Sequence, residues 1–182
     1  MDNIIIENAR IGFRNFSGKE GKFNPAGRRN FCVFLDYDVA TKLQEDGWNI
    51  RWLDPREPGE EKQAYLQVTV NYEFENLQPK VVVISSRGMT VLNEETVSMM
   101  DWVEVKPVDP KTGKGGIDIT LRPRKWEVSG KSGIKAYLKN MFTHIVEDEL
   151  ESKYYDVPDS ASSAIGGCGN CEACDGSCGC GH

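Results

Sequence analysis

Residues 117–142 constrain the fold more than any other part of the chain, because their alternation predicts a long β-hairpin. The predicted inward positions are Ile117, Ile119 and Leu121 in the first strand and Ile134, Ala136, Leu138, Asn140 and Phe142 in the second. The predicted outward positions are Asp118, Thr120, Arg122, Arg124 and Trp126 in the first strand and Lys135, Tyr137, Lys139 and Met141 in the second. A hairpin with one apolar face and one polar face indicates a β-rich domain.

The outward face of this hairpin combines positive charge with aromatic rings. Cationic side chains bind phosphates, whereas flat rings stack on unpaired bases, so this face favours single-stranded nucleic acid over duplex. The alternative is an ordinary solvated face, on which lysine, arginine and an occasional tyrosine are common. Pro123 lacks the N–H that a strand ladder needs and is able to interrupt the alternation. The sequence therefore does not fix the face on which Trp126 lies.

The net charge of −6 is unevenly distributed along the chain. Residues 147–182 carry eight acidic residues against one lysine, or −7, which leaves +1 on residues 1–146. A nearly neutral domain presents a basic face where its acidic residues lie elsewhere. Net charge therefore does not exclude a nucleic-acid partner.

Length and hydropathy favour one folded domain with an appendage. The 182 residues are 39% hydrophobic, and no apolar run is long enough to cross a membrane. The first three residues lack the basic and hydrophobic regions of a secretory signal. We therefore expect a cytoplasmic protein without a membrane association, with a domain at 1–146 and a flexible acidic segment at 147–182.

A basic strand and a basic loop precede the centre of the predicted sheet. Residues 4–14 predict a strand with Ile11 and Phe13 on one face and Arg10 and Arg14 on the other. The glycine-rich loop at 17–30 follows and carries four cations around one ring: Lys19, Lys22, Arg28, Arg29 and Phe23. Such a loop could clamp a nucleic-acid strand, and a solvated hairpin connection is the alternative.

The middle of the chain predicts further strands and two short helices. Strands are indicated at 31–35, 65–72, 81–84 and 102–105. Short helices are indicated after Asp36 or Asp38 and after Asn93. Cys32 is interpreted as a small buried hydrophobe. Short strands, small helices and glycine-rich loops are typical of a β-rich barrel or sandwich.

This layout resembles the OB-fold single-stranded DNA-binding proteins of tailed bacteriophages over most of residues 4–146. The matching parts are the Ala-Arg-Ile-x-Phe pattern at 9–13, the basic loop, the apolar strand after it, and the closing hairpin with Leu-Arg-Pro at 121–123 and Gly-Lys-Ser-Gly-Ile-Lys-Ala-Tyr-Leu at 130–138. The resemblance implies a mainly β, OB-fold-like five-stranded barrel with two short helices and a disordered acidic, cysteine-rich C-terminal tail. Residues 54–63 and the cysteine-rich end have no counterpart in the family pattern.

The resemblance also implies a function and a binding surface. The expected function is binding of single-stranded DNA without strong sequence specificity during phage DNA replication or recombination, in the host cytoplasm. The acidic tail is expected to compete for the DNA groove and to recruit replication or recombination proteins. The oligomeric state is open, and a homodimer is one alternative. The candidate DNA-binding residues are Arg10, Arg14, Lys19, Lys22, Phe23, Arg28, Arg29, Arg122, Arg124, Trp126, Lys131, Lys135, Tyr137 and Lys139.

The C-terminal segment carries closely spaced cysteines. Cys168, Cys171, Cys174 and Cys178 are separated by two, two and three residues, and Cys180 and His182 follow. Thiolates at this spacing could bind Zn²⁺, or an iron–sulfur cluster of the bacterial ferredoxin type, although Gly179 replaces the usual proline. The segment has few large apolar residues to surround a cluster, so a tail without metal is the third interpretation. We expect no required cofactor.

Two other functional classes remain to be weighed. The β-rich domain could be a platform whose acidic, cysteine-rich tail binds a partner protein or a metal. An enzyme has little support, because His144 and His182 are the only histidines and no nucleophile, base and orienting group form a recognisable set. Gly130-Lys131-Ser132 lies in a hairpin turn, not in a phosphate-binding loop before a helix.

Overall fold

The chain folds as one nine-stranded sheet in the computed structural model, which describes residues 2–22, 24–55, 57 and 59–147. The strands are β1 (Ile4–Ile6), β2 (Arg10–Asn15), β3 (Arg29–Leu35), β4 (Ile50–Leu53), β5 (Gln63–Val70), β6 (Lys80–Ser85), β7 (Gly88–Leu92), β8 (Ile117–Val128) and β9 (Lys131–His144). One α-helix, α1 (Tyr37–Glu45), and two 3-10 helices, Glu75–Leu77 and Val97–Asp101, complete this part. The predicted mainly β class is confirmed.

The long β8–β9 hairpin lies in the middle of the sheet. The strand order is β1-β8-β9-β5-β3-β2, with β4 paired to β5 and the β6–β7 hairpin joined through β6 to β9. β5 and β6 run parallel to β9, and the other pairs are antiparallel. The described sheet exceeds the five strands expected from the family resemblance, because β4 and β7 add edges and Asn8, at φ 52°, divides the opening segment into β1 and β2.

The core covers one face of this sheet. Phe31, Val68 and Ala136 lie directly opposite one another on β3, β5 and β9, and all three are fully buried. Phe16 stacks on Phe31 with ring centroids 5.2 Å apart. Side chains alternate along a strand, so the sequence neighbours of these three residues point to the opposite face of the sheet.

The β8–β9 hairpin follows the predicted alternation in its outer half and departs from it near its base. Thr120 pairs with Asn140 and Leu121 pairs with Leu138, so Lys139 is an extra residue that forms a bulge. Beyond it Met141 is buried and Phe142 faces outward, so the predicted sides of Asn140, Met141 and Phe142 were wrong. Pro123 does not disturb the register.

A second bulge reverses the predicted sides of Phe13 and Arg14. The β2–β3 register shifts between Gly12 and Asn15, and Phe13 adopts φ 49° with 63% of its side chain exposed. The Arg14 guanidinium points instead to backbone carbonyls and donates to Met100 O at 3.1 Å and Val103 O at 2.8 Å. The prediction that Phe13 shares the face of Ile11, with Arg14 opposite on the face of Arg10, was therefore wrong.

Both predicted helices form, but with different geometry. α1 begins after Asp36, whose carboxylate accepts a hydrogen bond from Arg10 at 3.1 Å and makes none within the helix. Asn93 Oδ1 accepts from the backbone of Glu95 and Thr96, and the turn leads into the 3-10 helix Val97–Asp101. Beyond it, the predicted strand at 102–105 is reduced to one bridge between Val105 and Ile145.

The chain divides into two compact units. Met1–Val146 forms one unit by its internal contacts, and Glu147–His182 forms the other. The predicted site residue Phe23 and the candidate metal ligands Cys168, Cys171, Cys174 and Cys178 lie outside the described residues. Within the described ranges, no helix is long and apolar enough to cross a membrane.

Candidate nucleic-acid interface

A groove of about 540 Å³ lies on the open face of the sheet, over β3, β5 and β9. Its lining is dominated by polar and cationic side chains. The residues are Asn24, Pro25, Gly27, Arg28, Arg29, Asn30, Asn49, Arg51, Gln67, Thr69, Val70, Asn71, Tyr72, Glu73, Lys135 and Tyr137. The groove therefore offers hydrogen-bonding groups and positive charge with few carboxylates.

Strand pairing fixes a row of side chains across the floor of the groove. Asn30 pairs with Thr69, and Thr69 pairs with Tyr137. Tyr137 in turn pairs with Arg122, whose guanidinium donates to Asn76 O at 3.1 Å. Residues directly opposite in a ladder share a face, so one row extends from β3 to β8. We call this side of the sheet the groove face.

The outer half of the β8–β9 hairpin continues the groove face with alternating cations and rings. The Arg124 guanidinium carbon lies 5.8 Å from the centre of the Tyr137 ring, and the Lys135 ammonium nitrogen lies 5.6 Å from the Trp126 ring. Gly133 is opposite Trp126 and must lack a side chain, because a Cβ atom there would lie 2.9 Å from the indole nitrogen. These four side chains share one face, as the alternation of the sequence predicted.

The loop between β2 and β3 forms one wall of the groove through a network of asparagine side chains. Asn15 accepts a bond from the backbone N–H of Lys19 at 2.8 Å, and Asn24 donates to the carbonyl of Arg28 at 2.7 Å. Asn30 donates to Asn24 Oδ1 at 2.6 Å. These bonds tie both ends of the loop to strand residues and place Arg28, which is exposed, at the groove.

Arg29 sits at the same wall but is already engaged. Its guanidinium lies 5.6 Å from the Tyr72 ring centre and pairs with Glu94 at 3.0 Å, with only 20% of the side chain exposed. Burial raises the pKa of the Tyr72 hydroxyl to about 12, against the opposing effect of Arg29. Tyr72 is therefore a neutral hydroxyl at physiological pH, and Glu94 offsets part of the charge that Arg29 brings to the groove.

Glu94→Gln is expected to tighten DNA binding by about 0.2–1 kcal/mol, or about 1.4- to 5-fold, since it removes a partly exposed carboxylate that neutralises Arg29. Fluorescence anisotropy with a labelled thymidine oligonucleotide at two salt concentrations measures the change. Glu95→Gln is the matched control, because Glu95 is also exposed and forms no ion pair with another residue that the structure describes. An equal gain in both variants would point to general charge rather than to the Arg29 pair.

The structure brings some of the predicted binding residues together and separates others. Those lining the groove are Arg28, Arg29, Lys135 and Tyr137. Those on the groove face beside it are Arg10, Arg122, Arg124 and Trp126. Those outside the lining are Lys19 and Lys22 on the loop, Lys131 at the hairpin tip and Lys139 at the bulge. Arg14 is held by backbone carbonyls.

Sequence reasoning missed several groove residues. They are Asn49, Arg51, Gln67, Thr69, Asn71 and Tyr72. The polar alternation of 65–71 was a usable signal, because Gln67 and Thr69 occupy the outward positions of a central strand. Asn49 and Arg51 had no such signal, since the short strand that carries Arg51 was not predicted.

Comparison with known proteins gives the family. The model of the phage ssDNA-binding domain matches residues 1–172, nearly the whole chain. The chain belongs to the phage single-stranded DNA-binding domain family. The resemblance inferred from the hairpin and the opening strand is thereby confirmed. No curated protein sequence matches the chain.

The solved structures to which the chain is similar include proteins of two bacteriophages. The single-stranded DNA-binding protein of bacteriophage Enc34, in complex with ssDNA, is 13% identical over 80% of this chain and 88% of its own, with a TM-score of 0.46. A further structure of that protein is 14% identical over 85% of this chain and 90% of its own, with a TM-score of 0.44. The gp2.5 protein of bacteriophage T7 is 11% identical over 82% of this chain and 95% of its own, with a TM-score of 0.36.

Proposed function

We propose that this member of the phage ssDNA-binding domain family binds single-stranded DNA along the groove face, without strong sequence specificity. Its role is to protect or organise DNA during phage replication or recombination. The observation that carries the proposal is the pairing of cations and rings on one face, with Lys135 over Trp126 and Arg124 over Tyr137. Family membership and geometry support the same function.

Each type of side chain has a separate part in binding. Lys135, Arg124 and Arg28 attract phosphates and release counterions, which gives affinity without sequence information. The Tyr137 and Trp126 rings accept any base on their faces, so stacking is also tolerant of sequence. Polar groups of the floor, such as Gln67 and Asn71, supply hydrogen bonds to whichever edges the strand presents. Together these contacts favour an unpaired strand.

We propose that the protein acts by binding and carries out no chemical step. Cys32 carries a thiol close to the groove, since it pairs with the groove residue Gln67 on β5. Burial raises the pKa of its thiol to about 11, against the opposing effect of Arg51. The thiol is therefore protonated and unreactive at physiological pH. This favours a buried packing role for Cys32.

The test compares single-stranded and duplex DNA of matched length and sequence by fluorescence anisotropy, each at low and physiological salt. Single strands are expected to bind more tightly at both, because a duplex hides the base faces from the Tyr137 and Trp126 rings. A larger relative preference is expected at physiological salt, where the phosphate contribution weakens. Equal affinities at physiological salt would contradict the stacking model.

For residues 147–182 the proposals depend on composition and spacing. We propose that this acidic segment recruits replication or recombination proteins, and that Cys168, Cys171, Cys174 and Cys178 are able to bind Zn²⁺. Metal content per chain after anaerobic purification distinguishes zinc, iron and no metal. Pull-down with and without the segment tests recruitment.

A further inference from the structure

Phe13 is an exposed aromatic residue held in an uncommon backbone conformation. Its φ of 49° lies in the left-handed region, and 63% of the side chain is exposed. The β2–β3 register shift places it at a bulge. Bulky residues rarely adopt this conformation, and such strained positions cluster at functional sites, as do bulges that re-aim a side chain. The bulge directs the Phe13 ring away from the core.

Phe13 is one of three rings that form a cluster on the groove face. Its centroid lies 6.0 Å from that of Phe34 and 6.4 Å from that of Tyr65. Phe34 pairs with Tyr65 across β3 and β5. Gly12 makes room for the cluster, because a Cβ atom there would lie 2.6 Å from the Phe34 ring. We call Phe13, Phe34 and Tyr65 the outer aromatic platform.

Cations flank the outer aromatic platform on both sides. Arg10 pairs with Phe34 on β2, and Arg51 pairs with Tyr65 on β4. Arg10 contacts Asp36 at 3.1 Å, but the two side chains are 61% and 84% exposed, so this ion pair is weak and leaves the arginine accessible to a phosphate. The platform thus repeats the combination of rings and cations found on the β8–β9 hairpin.

The platform and the groove lie on one continuous face. Tyr65 and Thr69 point to the same side of β5, four residues apart, which corresponds to about 13 Å. Thr69 is opposite Tyr137, and Gln67 lies between the two positions. A strand that stacks a base on Tyr137 and continues along β5 therefore reaches the platform over polar side chains.

We infer that the outer aromatic platform is a second base-stacking site for the same DNA strand, an inference that rests on the proposed function. Phe13 supplies the exposed ring, Phe34 and Tyr65 support it, and Arg10 and Arg51 bind the flanking phosphates. Two stacking sites on one face set a minimum length of DNA for full affinity. An oligonucleotide long enough to reach both sites binds more tightly than one confined to either.

The test measures binding of a long thymidine oligonucleotide to full-length variants by fluorescence anisotropy. Phe13→Asn is expected to weaken binding by about 5- to 150-fold, the range for loss of one stacked base. Asparagine tolerates the left-handed backbone, so the fold is retained. Phe13→Trp is expected to retain tight binding because it keeps a ring. Met89→Ala is the matched control, since Met89 is 72% exposed on β7 and does not line the groove.

The outcomes separate this inference from the proposed function. Unchanged binding in Phe13→Asn together with weakened binding in Tyr137→Ala would overturn the platform and leave the proposed function intact. Unchanged binding in both variants would overturn both. Photocrosslinking of the wild-type protein to an oligonucleotide containing 5-bromodeoxyuridine needs no variant. Adducts on residues 10–14 are expected, and adducts confined to the β8–β9 hairpin would contradict the inference.

Discussion

Tyr137→Ala is expected to weaken binding of single-stranded DNA by about 1–3 kcal/mol, which is about 5- to 150-fold. The ring faces the groove, opposite Thr69 on one neighbouring strand and Arg122 on the other. The core side of β9 is formed by the adjacent residues Ala136 and Leu138, which the substitution leaves in place. The melting temperature is therefore expected to change little while affinity falls.

Anisotropy titration and thermal unfolding of the same variant make the measurement. Tyr37→Ala is the matched control, because Tyr37 is 62% exposed on α1, packs against Trp52 with ring centroids 5.3 Å apart, and does not line the groove. Its affinity for DNA is expected to equal that of the wild type. Unchanged binding by Tyr137→Ala, or an equal loss in both variants, would show that Tyr137 has no specific role in stacking. Unfolding of Tyr137→Ala would instead show that the ring packs in the core.

The hairpin that carries Tyr137 was predictable because two constraints in the sequence agree. Alternation assigns Ile119, Leu121 and Ile134 to one face, and all three are buried. The glycine at 130 adopts φ 77° in the turn between the strands, as a tight connection requires. Pro123 weakens a sequence argument because it removes a donor, but it pairs with Ala136 without a register shift.

The errors in assigning side chains to a face arose at bulges. A bulge places one residue more on a strand than on its partner and reverses the side of every residue beyond it. The composition of the strand gives no sign of this extra residue. Lys139 does this in β9 and the segment after Gly12 does it in β2. Phe13 was consequently assigned to the face of Ile11, and Met141 to the outward face of the hairpin. Only the pairing partner, which lies far away in sequence, identifies the extra residue.

The candidate site was predictable in its chemistry and less so in its membership. Sequence identifies a cation but not the group that it contacts, so Arg14 and Arg28 are equivalent until tertiary structure gives one of them two carbonyl partners. Uncharged groove residues such as Gln67 and Thr69 are typical of any solvated strand, and strand pairing alone places them beside Tyr137.

Charge on the folded domain suggests that stacking contributes much of the affinity. Residues 1–146 carry a net charge of only +1. Glu94 pairs with Arg29, and two backbone carbonyls hold Arg14. The number of cations available to phosphates is therefore smaller than the number of lysine and arginine residues. Binding that depends on few phosphate contacts loses less affinity with salt, so the rings remain effective at physiological ionic strength.

Truncation after Val146 is expected to tighten DNA binding several-fold at low salt. The removed residues carry a net charge of −7, which reduces the attraction of phosphates to the domain and competes with them for its cations. The gain is expected to shrink as salt rises, because the Debye length falls to about 10 Å at 0.1 M. Anisotropy titrations of the full-length and truncated proteins over a salt series make the measurement.

A full-length control separates charge from the presence of the segment. Replacing Glu147, Asp148, Glu149 and Glu151 with the corresponding amides keeps the length and removes four negative charges. If charge is the cause, this variant reproduces about half of the free-energy gain of truncation, since four of the seven net charges are gone. Weaker binding by the truncated protein at low salt would instead show that residues 147–182 contribute to the DNA-binding surface, because loss of a repulsive charge cannot lower affinity.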